Sequence, residues 1–339
     1  MVSIYSVWLR FFLCAAIIFF AGKRVTRYAD AIAEKTGLTR LWVGVILVAV
    51  ATSLPELFTG VGSIVFLNAP DLTIGNVFGA NSYNILNIII LDILNGKTPI
   101  LSMISSGQLL TAAFSLIPLI LAAAGIALSV KGIHLFSVGN VGIFSIAIVI
   151  SYFVLTKIIY NYEKKNQKPE HAEQEEEPKY GAISLKRAYI GYAVAAAALV
   201  ASGVWLAYIG NEISDIMRLD KSFIGTLFVG FVTTIPEITV SVAALLMGAR
   251  EIAIANMLGS NLFNMTIIFV DDVLYRKAPV LQAVSPNHVF TSFVVMAMTA
   301  VVILAIATRY GKKIFNISWY VPLILFLFLL GAYVNFRGI

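Results

Sequence analysis

The chain has 339 residues, 59% of them apolar and only 12% charged, with a mean hydropathy of +0.89. Soluble domains carry about 25% charged residues, so this composition excludes a water-soluble globular protein and implies insertion into a lipid bilayer. The formal net charge of +6 does not indicate nucleic-acid binding, because Lys and Arg of membrane proteins gather on the cytoplasmic side.

A membrane-crossing helix needs roughly 20 apolar residues. The hydropathy pattern predicts an all-α polytopic fold with ten spans, at roughly 4–22, 41–67, 72–94, 104–128, 133–156, 187–209, 222–248, 251–274, 287–307 and 316–335. The first run reads as a retained span, since it lacks the basic start and small-residue exit of a signal peptide. It contains Cys14, the single cysteine, so no intrachain disulfide is possible. The long polar break at 157–186, with Glu163-Lys164-Lys165 and the acidic run Glu173 to Glu177, reads as a solvated linker. It lacks the turn geometry of a calcium loop. With that linker on the inner side, most Lys and Arg fall inside, which puts both termini outside.

The chain also repeats itself. At an offset of 181, Gly44, Val48, Thr52, Pro55 and Glu56 match Gly225, Val229, Thr233, Pro236 and Glu237. At an offset of 180, residues 71–101 match 251–281 with 11 of 31 positions identical, among them Asn76/Asn256, Gly79/Gly259, Asn81/Asn261, Asn84/Asn264 and Asp92/Asp272. The division is 1–156, a first five-span repeat; 157–186, a cytoplasmic linker; and 187–339, a second five-span repeat. Five is odd, so the halves enter the membrane in opposite senses. Such inverted repeats are a transporter architecture, with the site at the midplane between them.

The chemistry concentrates in Thr52-Ser53-Leu54-Pro55-Glu56 and Thr233-Thr234-Ile235-Pro236-Glu237. A carboxylate at membrane depth costs about 2.5–3.5 kcal/mol on insertion scales, and no Lys or Arg lies in either segment to neutralise it. Each proline frees a backbone carbonyl, and each Thr lies four residues before its Glu, on the same helix face. Carboxylates, hydroxyls and freed carbonyls make an oxygen-only ligand set suited to Ca²⁺. The lack of His and Cys argues against Zn²⁺ or Cu⁺. The block Gly75 to Asn84 and its mate Ala255 to Asn264 carry small residues four apart, which permit close helix approach. Of their asparagines, Asn81 and Asn261 are the best ligand candidates, and the others are expected to bond between helices. Asp92, Asp271 and Asp272 are expected to be interfacial charges near Lys97 and Lys277, and His134, His171 and His288 to be surface residues. No catalytic constellation appears at membrane depth, so no enzyme activity or resident cofactor is expected, and no obligate protein partner.

Two five-span halves, each with a T-[ST]-x-P-E block followed by a G-[AS]-N block, resemble the calcium/cation antiporter superfamily, in particular its prokaryotic sodium/calcium exchangers. The resemblance covers essentially the whole chain. It implies exchange of Ca²⁺ for Na⁺ across a prokaryotic plasma membrane by alternating access. Glu56 and Glu237 would be central Ca²⁺ ligands, completed by carbonyl or hydroxyl oxygens of Thr52 and Thr233. Ser53, Thr234, Ala49, Gly230, Asn81 and Asn261 would form neighbouring Na⁺ sites. Asn261 stands where potassium-dependent relatives carry Asp. Val77 and Met257 stand where some exchangers have a serine Na⁺ ligand, which keeps H⁺ coupling as the alternative.

Overall fold

The computed structural model describes residues 4–36, 49–133, 136–166, 183–314 and 316–337. Thirteen helices are named here in chain order: α1 Ile4–Thr36, α2 Ala49–Thr52, α3 Leu54–Val61, α4 Pro70–Leu94, α5 Ser106–Val130, α6 Ile143–Asn166, α7 Leu185–Met217, α8 Lys221–Ile224, α9 Gly230–Thr233, α10 Ile235–Leu246, α11 Arg250–Leu274, α12 Asn287–Thr308 and α13 Tyr320–Arg337. A π-helical turn, Gly62–Phe66, extends α3, and another, Gly225–Val229, joins α8 to α9. Among the described residues eight helices are long and apolar enough to cross a membrane, or nine if the pair α8–α9 and α10, bent by 40°, is one span. The start of the second predicted span, 41–48, lies outside the described residues, as do His134, His171 and the linker from 167 to 182.

Three helices depart from their predicted bounds: α1 runs past 22 to Thr36, α6 shifts from 133–156 to Ile143–Asn166 and so enters the expected linker, and α7 runs past 209 to Met217. The helix expected at 133–156 begins only at Ile143, because a small antiparallel hairpin, Ser137–Val138 with Val141–Gly142, precedes it. Its turn has Gly139 at φ +63°, a conformation that glycine adopts without penalty. The helix α1 runs on to Thr36, a length of about 50 Å, and packs along α7, which is equally long. Arg10 on α1 and Glu212 on α7 form an ion pair, and Cys14 Sγ donates to the Ser202 carbonyl.

The centre of the fold is a close approach of α4 to α8–α9, as the spacing of Gly75 and Gly79 predicts; the mate spacing Ala255/Gly259 gives no such contact at Gly259, where a Cβ would meet nothing within 4 Å. A Cβ at Gly75 would lie 2.7 Å from the Ser222 carbonyl oxygen, and one at Gly230 2.9 Å from the Ala80 nitrogen. Gly79 lies so close to the Thr226 backbone that any side chain there would clash. Two further glycines share the 181-residue offset. Gly22 on α1 seats against Pro236, and Gly203 on α7 against the carbonyl of Pro55. Each long helix thus lies on the proline of the opposite half.

Three expectations need correction. Asp92, Asp271 and Asp272 are fully buried, not interfacial. Asp92 accepts from the Ile100 backbone N–H at 2.8 Å, and Asp272 from that of Val280 at 2.5 Å, so the repeated aspartate anchors the turn eight residues on in both halves. The cation beside Asp92 is Lys313, at 3.0 Å, whereas Lys97 is exposed. His288 is fully buried, with Nε2 3.1 Å from Asp71 Oδ1; its neighbours, not its position at a span end, decide its exposure. Removing one member of a buried ion pair costs about 3–5 kcal/mol. Asp92→Ala is expected to lower the unfolding midpoint in detergent strongly, while Lys97→Ala leaves it unchanged.

Candidate functional site

Both repeated blocks fold as breaks in a helix, and for the same reason. Proline has no N–H to donate and its ring crowds the preceding turn. The chain answers with a residue in the bridge region just before the new helix: Ser53 at φ −88°, ψ 7°, and Thr234 at φ −82°, ψ 0°. Beyond each break the hydrogen-bond ladder resumes identically, with Leu57 N–H donating to Ser53 (3.1 Å) and Ile238 N–H to Thr234 (3.2 Å). Glu56 and Glu237 consequently lie in the first turn of α3 and α10, where the helix dipole favours negative charge.

The two carboxylates are neighbours and both are fully buried. Their surroundings cross between the halves. Ser53 Oγ donates to Glu237 Oε1 at 3.3 Å and Thr52 lies beside the same carboxylate, while Thr233 lies beside Glu56. Both oxygens of Glu56 and Oε2 of Glu237 have no hydrogen-bond partner. Three bare carboxylate oxygens in a buried, oxygen-lined space call for positive charge, since an unpaired buried anion is costly. Among the described residues, no three His, Cys, Asp or Glu side chains are grouped so as to hold a metal ion together. The site therefore offers two carboxylates supplemented by hydroxyls and carbonyls, the ligand types that hard cations take.

The remaining expected ligands fall in three places. Thr234 and Gly230 bond to each other, with Thr234 Oγ1 donating to the Gly230 carbonyl at 2.9 Å; Thr233 Oγ1 also reaches that carbonyl, at 3.3 Å. Ala49 opens α2. Asn81 and Asn261 form a reciprocal lock between α4 and α11. The side-chain N–H of Asn81 donates to the Asn261 carbonyl at 3.3 Å, and that of Asn261 to the Asn81 carbonyl at 3.1 Å. Asn264 and Asn84 in turn donate to the Asn81 and Asn261 side-chain oxygens.

The asparagines that touch the glutamate helices are Asn76 and Asn256, which the sequence reading did not single out. Asn76 Nδ2 donates to the Glu56 backbone carbonyl at 3.2 Å and its Oδ1 accepts from Thr233 at 3.0 Å. Asn256 Nδ2 donates to the Glu237 carbonyl at 3.1 Å and to Ser241 at 3.0 Å. The signal was present: both pairs are repeated, and only a face assignment would have separated them. Partners that orient ligands typically matter about 10–100-fold in metal affinity. Asn76→Ala is expected to weaken divalent-cation binding to the purified protein within that range, whereas Asn95→Ala, on an exposed turn, leaves it unchanged.

Comparison with known proteins identifies the family and the fold. The family described as "Sodium/calcium exchanger protein" matches residues 6–160 and 187–337. CaxA of Alkalimonas amylolytica is 24% identical over 301 residues, covering 87% of this chain and 88% of that protein. Among solved structures, the sodium-calcium exchanger NCX_Mj soaked with Na⁺ and Sr²⁺ matches with TM-score 0.59 and 19% identity over 96% of this chain and 98% of that one. The H⁺/Ca²⁺ exchanger CAX matches with TM-score 0.68 and 11% identity over 98% and 86%. At these identities the structural likeness shows the fold.

Proposed function

The chain belongs to the sodium/calcium exchanger family, and from that premise we propose that it is a secondary active antiporter that exchanges Ca²⁺ for Na⁺ at the Glu56–Glu237 pair. It is an integral multi-pass membrane protein of a family of transporters, not enzymes. The observation that carries the proposal is the meeting of two buried carboxylates, one from each half, with three unpartnered oxygens between them.

The proposed topology is ten spans in two inverted five-helix repeats, 1–156 and 187–339, around a cytoplasmic linker at 157–186, with both termini outside. The paired helix breaks, the reciprocal Asn81–Asn261 lock and the crossed glycine–proline seats support that symmetry. In the proposed site Glu56 and Glu237 bind Ca²⁺ with oxygens of Thr52 and Thr233. Ser53, Thr234, Ala49, Gly230, Asn81 and Asn261 complete adjacent Na⁺ positions, the last two by rearranging their lock.

Charge balance sets the coupling. One Ca²⁺, or two Na⁺, cancels the two negative charges, whereas the empty site carries both through a low-dielectric interior. The loaded forms cross and the empty form does not, so each ion leaves only when the other replaces it. In this proposal the long helices α1 and α7, which rest on Pro236 and Pro55, move to cover the site alternately. The second reading is H⁺ coupling. It draws on Val77 and Met257, which are fully buried and apolar where some exchangers supply a hydroxyl.

Radiolabelled Ca²⁺ uptake into proteoliposomes separates the two. Uptake is expected to require Na⁺ inside the vesicles and to be lost in Glu56→Gln and in Glu237→Gln. Uptake driven by a pH gradient without Na⁺ would reassign the coupling ion, and normal exchange by either variant would refute the site.

A further inference from the structure

Outside the glutamate pair, one buried carboxylate has a bare oxygen and no mate in the repeat. Asp271 on α11 is fully buried. Its Oδ2 accepts from the Thr73 hydroxyl of α4 at 2.5 Å, and its Oδ1 has no partner. The adjacent Asp272 faces elsewhere and is satisfied by the Gly142 and Val280 backbone N–H groups at 2.8 and 2.5 Å. Gly60 on α3 packs directly against the Asp271 carboxylate and the Thr73 hydroxyl. A Cβ there would lie 2.8 Å from both Asp271 oxygens and from Thr73 Oγ1, so glycine is what leaves room for the carboxylate.

Gly60 follows Glu56 by four residues, one helical turn or about 6 Å along the same face. The Asp271–Thr73 pair therefore meets α3 one turn beyond Glu56, toward the 67–69 loop. Under the repeat, Gly60, Thr73 and Asp271 correspond to Ser241, Ala253 and Leu91. Ala253 and Leu91 are fully buried and apolar, and Ser241 accepts from Asn256. Carboxylate, hydroxyl and glycine notch are thus all replaced together on the mirrored side, a difference that packing of the shared fold does not require.

We propose that Asp271 and Thr73, against the Gly60 notch, form a one-sided monovalent-cation site that holds Na⁺ one turn from Glu56. A single carboxylate with a hydroxyl matches one positive charge. Ca²⁺ takes six to eight oxygens and commonly more than one carboxylate, so this pocket discriminates in favour of the smaller charge. On the proposed orientation the site lies on the outer side of the glutamate pair and loads Na⁺ from that face. This inference rests on the exchanger reading.

The test is equilibrium binding of radiolabelled Na⁺ and, separately, Ca²⁺ to the purified full chain. Asp271→Asn, Thr73→Val and Gly60→Ala, the last of which keeps the charge but obstructs the notch, are expected to bind fewer Na⁺ equivalents or bind Na⁺ more weakly. Ca²⁺ binding, which also reports folding, stays at the wild-type level. Unchanged Na⁺ binding in Asp271→Asn and Gly60→Ala, with Ca²⁺ binding intact, would overturn this site alone and leave Asp271 a hydrogen-bond anchor for Thr73. A wild-type chain that binds no Ca²⁺ yet shows Asp271-dependent Na⁺ binding would sink the exchanger reading and keep the site.

Discussion

The electrostatic demand of Glu56 and Glu237 organises the structure around them. Two carboxylates that are fully excluded from solvent, beside each other and without a Lys or Arg in their segments, are tolerated only where something positive takes up the bare oxygens. Much of the surrounding backbone is arranged to present those oxygens. The prolines end one helix and start another, so that each glutamate falls at a helix N-terminus. The bridge-region Ser53 and Thr234 make the turn. Asn76 and Asn256 tie each glutamate's own carbonyl to the neighbouring helix, which fixes the α3 and α10 starts against α4 and α11.

Close packing supplies the rigidity this needs. In a bilayer, helices gain little from burying apolar surface against each other, so association rests on close approach and polar contacts. Gly75, Gly79, Gly225 and Gly230 bring α4 and α8–α9 to backbone contact. The Asn81–Asn261 lock joins α4 to α11 across the halves. Around that centre, α1 and α7 seat Gly22 and Gly203 against the prolines of the broken helices, and α1 also packs Val7, Phe11 and Ile18 into one apolar cluster with Val229 and Val232.

Much of this was legible in the sequence because the repeat doubles every signal. A lone Pro-Glu in an apolar run is ambiguous; two at a fixed offset, each with hydroxyls four residues before, identify the helix breaks and the glutamate pair. The asparagines were harder. Asn76, Asn81 and Asn84 share one helix, and deciding which faces α3 and which faces α11 depends on how the helices pack. Periodicity does not encode that. The aspartates misled for a related reason. Asp92 and Asp272 sit close to span ends in sequence, but the turns they anchor fold back over them, and the cation that meets Asp92 is Lys313, more than 200 residues away. The hairpin before α6 was missed because its strands are two residues each, too short for an alternating pattern.

The central claim is that the two carboxylates make a single cation site, to which both halves must contribute. Equilibrium Ca²⁺ binding to the purified wild-type protein and to Glu56→Gln and Glu237→Gln tests it most directly. The account predicts one saturable Ca²⁺ per chain, displaced competitively by Na⁺ or H⁺, and its loss in each single variant. Two Ca²⁺ per chain in the wild type, with each variant retaining one, would show two independent sites and contradict it.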